Sequence, residues 1–237
     1  MIFAAGLGTR LKPFTLEHPK ALAPVAGKTL LEHSIRYLMH YGINDIVINV
    51  HHFASQIIEY LKAHQNFGAN IIISDETDAV LETGGGFLKA QKYFHQEDVL
   101  VMNVDILCNL NLQHLIEYHN THKNKATLAI RKRISSRQLL WDNHLQLCGW
   151  QNTQTTETKW VNEPCKYEAY AFSGIQILHS SCLEQIPFQG KFSIIDLYLH
   201  IAKTQAVKGF VHTQDWWMDL GKPENIIEAE QYFSTLP

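Results

Sequence analysis

Only four cysteines occur in the 237 residues, Cys108, Cys148, Cys165 and Cys182. No two of them form a C-x-x-C pair, which argues against a zinc ribbon and a disulfide scaffold and suits a reducing compartment. Long apolar runs are missing too, so no segment approaches membrane-spanning length. The N-terminus has no basic leader, and its apolar start is cut short at Gly6, so it does not read as a secretory signal. Excess positive charge is also lacking. A net charge of −3 gives no global basic field for nucleic acid, so any phosphate-binding charge must be local. These absences predict a soluble cytoplasmic protein with no membrane and no nucleic-acid partner.

What is present is a hydrophobic fraction of 46%, ample for a sizeable core. Fourteen histidines are many, and His51-His52 and His119/His122 are the tempting metal pairs. Adjacent residues at a strand end point to opposite faces, and the second pair has no third ligand nearby, so both read as hydrogen-bonded or solvated histidines.

The stretch that organises the chain is its start, MIFAAGLGTRLKPFTLEHPK. Met1 to Ala5 reads as a buried strand. Gly6 and Gly8 let the backbone approach a ligand and expose N–H groups to anions. Arg10 and Lys20 place two cations on the same loop, as a bound triphosphate would require. The loop is not a Walker A motif, because no Gly-Lys-Ser/Thr follows, and it lacks the third glycine of a dinucleotide fingerprint.

Downstream, strands are expected at 45–50, 70–74, 98–103 and 126–131, with helices at 30–39, 53–64, 84–94 and 111–122 between them. This alternation predicts an α/β fold, a doubly wound, mostly parallel, Rossmann-like sheet, whose ligands bind beyond the carboxyl ends of the strands. After Arg131 the pattern changes to an antiparallel elaboration. It comprises a hairpin at 138–141 and 145–150, a polar loop over 151–159, and a strand at 168–179 interrupted by Ser173-Gly174. A helix at 194–204, a strand at 206–211 and a helix at 223–233 complete the chain. No linker is visible, so residues 1–237 read as one domain, with a nucleotide-binding half 1–131 and a second half 132–237.

Three further features carry chemistry. Leu81-Glu82-Thr83-Gly84-Gly85-Gly86 would let a flat base lie against backbone. Asp105, after Asn103-Val104, stands at the ligand edge, where an oxygen can hold a divalent cation. Asp219 lies beside Trp216, Trp217 and Met218, where a carboxylate is costly unless paired or metal-bound.

Together, AAGLGTRL, Pro19-Lys20-Ala21-Leu22, LETGGG, Asp105, Phe172-Ser173-Gly174-Ile175 and Trp217-Met218-Asp219-Leu220-Gly221 resemble the sugar-phosphate nucleotidyltransferase family over essentially the whole chain. Length and LETGGG look most like the branch that uridylylates N-acetylmuramate 1-phosphate, with mannose- and heptose-1-phosphate guanylyltransferases as near neighbours. The resemblance implies that Arg10, Lys20 and Asp105 are catalytic and that Asp105 and Asp219 hold Mg²⁺. It implies a nucleotide site of Ala5, Gly6, Gly8, Thr9, Arg10, Lys20, Glu82, Gly85 and Asn103. For the sugar phosphate it implies Glu163, Ser173 and Gly174. The implied partners are a nucleoside triphosphate and a sugar 1-phosphate, with the protein a monomer or small homo-oligomer. Relatives carry Glu-Lys-Pro where this chain has Asn162-Glu163-Pro164, which leaves Arg131, Arg137 and Lys166 as candidate phosphate cations. A non-catalytic regulatory subunit would show erosion of the cationic loop or the aspartates, and neither is eroded. A metal-dependent glycosyltransferase would show a second carboxylate two residues from the first, and Asp105-Ile106-Leu107 has none.

Overall fold

The structure is a computed structural model that describes residues 1–162, 166–184 and 186–235. In chain order the elements are β1 (Ile2–Phe3), β2 (Pro24–Val25), β3 (Lys28–Thr29), α1 (Leu30–His40), β4 (Asp45–Val50), α2 (Ala54–Ala63) and β5 (Asn70–Asp75). Next come α3 (Glu82–Lys89), β6 (Asp98–Asn103), β7 (Ile106–Cys108), α4 (Leu112–His122), β8 (Ala126–Arg131), β9 (Arg137–Trp141) and β10 (Leu147–Asn152). The last are β11 (Glu157–Trp160), β12 (Glu168–His179), α5 (Ile194–Ile201), β13 (Val207–Val211), β14 (Trp217–Asp219) and α6 (Pro223–Ser234).

By internal contacts the chain divides into two compact units, each drawn from separated segments. The first comprises Met1–Glu82, Met102–Asn109 and Trp216–Pro237; the second comprises Thr83–Val101 and Leu110–Asp215.

In the first unit β1 is the central strand. It pairs in parallel with β4 (Ile2↔Ile48) and with β6 (Ile2↔Met102), and β4 pairs in parallel with β5. The β-branched runs DIVINV and NIIIS suit such a buried parallel sheet, and Ile2, Ile48 and Val50 are wholly buried. Helix α1 starts where Thr29 Oγ1 accepts from Glu32 N at 3.1 Å, and it buries Leu31, Ile35 and Leu38 along one stripe.

The second unit is built on β12, antiparallel to both β8 and β9, with β13 parallel to β8. Its register with β8 shifts between Phe172 and Gln176, and Gly174 sits inside the bulge with φ 79°. Glycine meets that backbone without strain. Gly209 on β13 leaves room for Trp141, whose ring is fully buried; a Cβ there would lie 3.4 Å from the indole and 2.5 Å from Ile130 Cδ1.

The Rossmann-like α/β expectation holds, as does an antiparallel elaboration after Arg131. One local expectation fails. Residues 151–159 are no plain loop: β10 runs on to Asn152 and pairs with β11 from Gly149↔Trp160 to Asn152↔Glu157. Strand β11 is mostly exposed, so its backbone ladder, not apolar side chains, sustains it. The glycines of LETGGG lie in the first turns of α3, which begins two residues before the expected 84–94, and Phe192 fills the space a Gly84 side chain would take: its ring and its carbonyl oxygen, the latter 2.9 Å away, occupy the place of a Gly84 Cβ. Asp105 is followed by a short strand, β7, which pairs with β14.

Candidate active site

The site is best assembled from the end of β1. Ala4 N donates to Asn49 Oδ1 at 2.7 Å, and Asn49 Nδ2 donates to Glu76 Oε1 at 2.8 Å, both residues being buried. This fixes the point where the chain leaves the sheet. Ala5 is half-buried, and Gly6, Leu7, Thr9 and Arg10 are exposed. Gly8 takes φ 61°, and its carbonyl accepts from Leu11 N at 2.8 Å and from Thr15 Oγ1 at 2.9 Å. A Cβ on Gly8 would lie 2.8 Å from Thr15 Cγ2 and 2.9 Å from Lys20 Cβ. Both the backbone angle and the space therefore demand glycine. The loop folds back until the root of Lys20 rests on Gly8.

From there the Lys20 ammonium reaches the Asp105 carboxylate and forms an ion pair, the two side chains being 12% and 15% exposed. Asp105 lies just beyond β6, whose Asn103 pairs with Phe3 of β1. Its carbonyl accepts from Leu220 N at 2.8 Å, continuing the β7–β14 ladder in which Asp219 faces Ile106. Asp219 is itself braced: its Oδ1 accepts from Gly221 N at 2.8 Å, and its carbonyl accepts from Asn225 Nδ2 at 2.5 Å. A Cβ on the buried Gly221 would lie 2.5 Å from Arg10 Nη2 and 2.8 Å from Asp219 Oδ1. Arg10 thus lies over Gly221, next to Asp219.

Arg10, Lys20, Asp105 and Asp219 are therefore brought together within the first unit, from three separated parts of the chain. Glu82 is exposed at the end of that unit's first segment, with φ 59°. Gly85, Ser173 and Gly174 belong to the second unit. Gly85 is buried in α3, its N–H directed at Phe192 O at 3.3 Å. Ser173 is fully buried, its Oγ 2.6 Å from His212 Nε2. Glu163 lies outside the described residues.

His212 continues this second-unit arrangement. Its Nδ1 is 3.4 Å from Asp215 Oδ2, and burial, then the nearby Arg131 charge, lowers its pKa to about 4. Burial raises the pKa of Asp215. The Arg131 guanidinium donates to the carbonyls of Asp215 at 3.1 Å and Thr213 at 3.3 Å, so it clamps the segment after β13. Arg137 and Lys166 are exposed. His119 is buried between Thr127 Oγ1 at 2.8 Å and Asp98 Oδ1 at 3.3 Å, a hydrogen-bonded histidine as expected.

Sequence reasoning did not find Thr15, Asn225 or the Ser173–His212 pair. The signals were faint: a threonine five residues before the lysine, an asparagine four residues past Gly221, and a histidine at a strand end.

The donors fit a hard divalent cation, since Asp105 and Asp219 offer carboxylate oxygens from neighbouring chain segments and a cation, Lys20, already sits on one of them. Among the described residues no group of three or more His, Cys, Asp or Glu could hold a metal by itself. No described helix is long and apolar enough to cross a membrane.

Known proteins match this chain over nearly its whole length. The N-acetylmuramate alpha-1-phosphate uridylyltransferase of Caulobacter vibrioides is 29% identical over 97% of this chain and 94% of its own length. The mannose-1-phosphate guanyltransferase of Gibberella zeae is 26% identical across 100% of this chain, which spans only 64% of that protein. HddC from Yersinia pseudotuberculosis, solved with GMP-PN, superposes with a TM-score of 0.78 at 25% identity, covering 98% of this chain and 97% of its own. A putative glucose-1-phosphate thymidylyltransferase from Bacillus anthracis shares the fold, with a TM-score of 0.81 at 19% identity over 100% of this chain and 95% of its own. The family profile described as nucleotidyl transferase matches residues 1–138, and with more than half of its length so matched the chain belongs to the nucleotidyl transferase family.

Proposed function

We propose that this protein transfers a nucleotidyl group from a nucleoside triphosphate to a sugar 1-phosphate, giving an NDP-sugar and pyrophosphate. The observation that carries this reading is the convergence of Arg10 and Lys20 with Asp105 and Asp219. A phosphate oxygen of the sugar 1-phosphate attacks the α-phosphorus. The bond to the bridging oxygen breaks in line, and pyrophosphate leaves with the electron pair. The nucleophile is already ionised, so no general base is needed. Positioning and charge neutralisation do the work.

In this reading Ala5, Gly6, Gly8, Thr9 and Asn103 shape the nucleotide loop, and Arg10 and Lys20 offset charge on the leaving pyrophosphate. Asp105 and Asp219 would hold Mg²⁺, which would neutralise charge between the two phosphates. The Glu82 carboxylate, with the backbone near Gly85, accepts from the base edge. Ser173 and Gly174 contribute through the backbone of their bulge, since the Ser173 hydroxyl faces His212; Glu163 meets the sugar.

UTP and N-acetylmuramate 1-phosphate, or a similar hexose 1-phosphate, are favoured by the 29% identity to the Caulobacter vibrioides uridylyltransferase over nearly the full length of both chains. GTP with a mannose- or heptose-type phosphate is the second reading, favoured by the similarity to HddC, which was solved with GMP-PN. The product would be an activated sugar for cell-wall assembly, made by a cytoplasmic monomer or small homo-oligomer. The test is a pyrophosphate-release screen of four nucleoside triphosphates against a panel of sugar 1-phosphates with Mg²⁺. Release with UTP alone supports the first reading, release with GTP alone selects the second, and no release with any pair overturns both.

A further inference from the structure

We propose that Lys20 holds the place of the divalent cation at Asp105 in the free protein, so that metal and triphosphate bind together and metal alone binds poorly. The inference rests on the nucleotidyltransferase reading and deepens it.

Three observations carry it. The first is the ion pair itself. Lys20 and Asp105 are 12% and 15% exposed, and pairs withdrawn from water are screened less than exposed ones. A metal ion approaching Asp105 must therefore displace a bound ammonium, not water. The second is the donor set. A hard cation such as Mg²⁺ surrounds itself with about six oxygens, yet no group of three or more candidate protein ligands exists among the described residues. Part of the shell must come from elsewhere, and a triphosphate supplies such oxygens.

The third is how Lys20 is mounted. Its root is fixed, with Cβ against Gly8 and its carbonyl accepting from Ala23 N at 3.0 Å. The four-carbon stem can still swing its ammonium while the root stays in place. A triphosphate bound along the Gly6–Arg10 loop offers that ammonium a denser anion than one carboxylate. Once it moves, Asp105 is released for the cation the nucleotide brings. Arg10 stands in a parallel position beside Asp219, over Gly221. Two cations and two carboxylates leave this cluster near neutrality without ligand.

Such coupling is reciprocal: whatever factor the triphosphate adds to metal affinity, the metal adds to triphosphate affinity. Lys20 is thus a positioning residue for the metal as well as a phosphate contact.

The experiment measures Mn²⁺ binding to the full chain by electron paramagnetic resonance, without nucleotide, for wild type, Lys20→Met, Lys20→Arg and Lys20→Met/Asp105→Asn. Thermal melts confirm that each variant is folded. Lys20→Met is expected to bind Mn²⁺ about tenfold or more tighter than wild type. Lys20→Arg, which keeps the ion pair, stays at the wild-type value, and the double variant loses the gain. Adding a non-hydrolysable triphosphate analogue raises the wild-type affinity and narrows its difference from Lys20→Met. Equal or weaker Mn²⁺ binding by folded Lys20→Met overturns the inference while leaving the nucleotidyltransferase reading intact. Metal binding with the analogue that is insensitive to Asp105→Asn removes the metal assignment and the inference together.

Discussion

The two compact units handle their polar side chains in opposite ways. In the first, Lys20, Asp105, Arg10 and Asp219 are charged, partly exposed and drawn from distant segments. In the second, Ser173, His212, Thr127 and His119 are buried, and their bonds run to one another or to nearby strands. Charges left partly open to solvent can change partners when a ligand arrives. Buried neutral hydrogen bonds cannot be given up without cost, and they fix the backbone instead. The contrast separates partly exposed charges from buried groups that hold the backbone.

The contrast can be broken most sharply at Lys20. Lys20→Ala, or Asp105→Asn, is expected to lower the rate of pyrophosphate release by ~10²–10³ with the melting temperature little changed. A near-normal rate would remove both residues from the chemistry. Gly84→Ala should behave in the reverse manner. Its methyl group meets the Phe192 ring and carbonyl, so overpacking should cost about 1–3 kcal/mol in a denaturant melt. Unchanged stability would show that Phe192 yields freely.

His212→Phe should cost a similar or smaller amount, about 1–3 kcal/mol, by leaving the Ser173 hydroxyl without its imidazole. It should also change the acid response. Because His212 is held down to about 4 in the fold against 6.5 in the unfolded chain, the wild type keeps its full stability above pH 6.5. Below that the unfolded chain takes up a proton that the folded one refuses, so stability falls toward pH 4 by an amount on the order of 3 kcal/mol. Unfolding titrations should show this limb shrink in His212→Phe, and an identical limb in both proteins would exclude the histidine as its source. The smallest effect is expected at Thr29, whose hydroxyl caps α1. Thr29→Ala should lose ~1 kcal/mol of stability and leave pyrophosphate release unchanged; a rate loss would tie the cap to the site.

Much of this arrangement was legible in the sequence because its signals are local. Gly8, Arg10 and Lys20 lie within one loop, and the strands are apolar runs bounded by turns, so loop and sheet could be placed together. Asp105 and Asp219 were legible through their settings at a strand end and among tryptophans. Strands β7 and β14 were not, since three residues are too few to show a period. Strand β11 was hidden by its polarity, which an exposed ladder tolerates. What fills the space beside Gly84 was not legible either. A missing side chain invites a ligand or a neighbour equally, and only the position of Phe192 shows which one occupies Gly84. The Ser173–His212 contact joins residues 39 apart in sequence through a bulge, and neither residue announces the other.

The β7–β14 ladder also dictates an order of events during synthesis. Leu220 binds Asp105 across more than a hundred intervening residues, and almost all of the second unit is translated within that interval. A ribosome therefore delivers most of the second unit before the charged cluster of the first can close. Until residues 216–225 emerge, the nascent chain has Lys20 and Asp105 but no Asp219, Gly221 or Asn225 beside them. A chain cut before Trp216 would expose the apolar edge of β7 and lack Asp219 beside Asp105, so the cluster that is begun first is completed late.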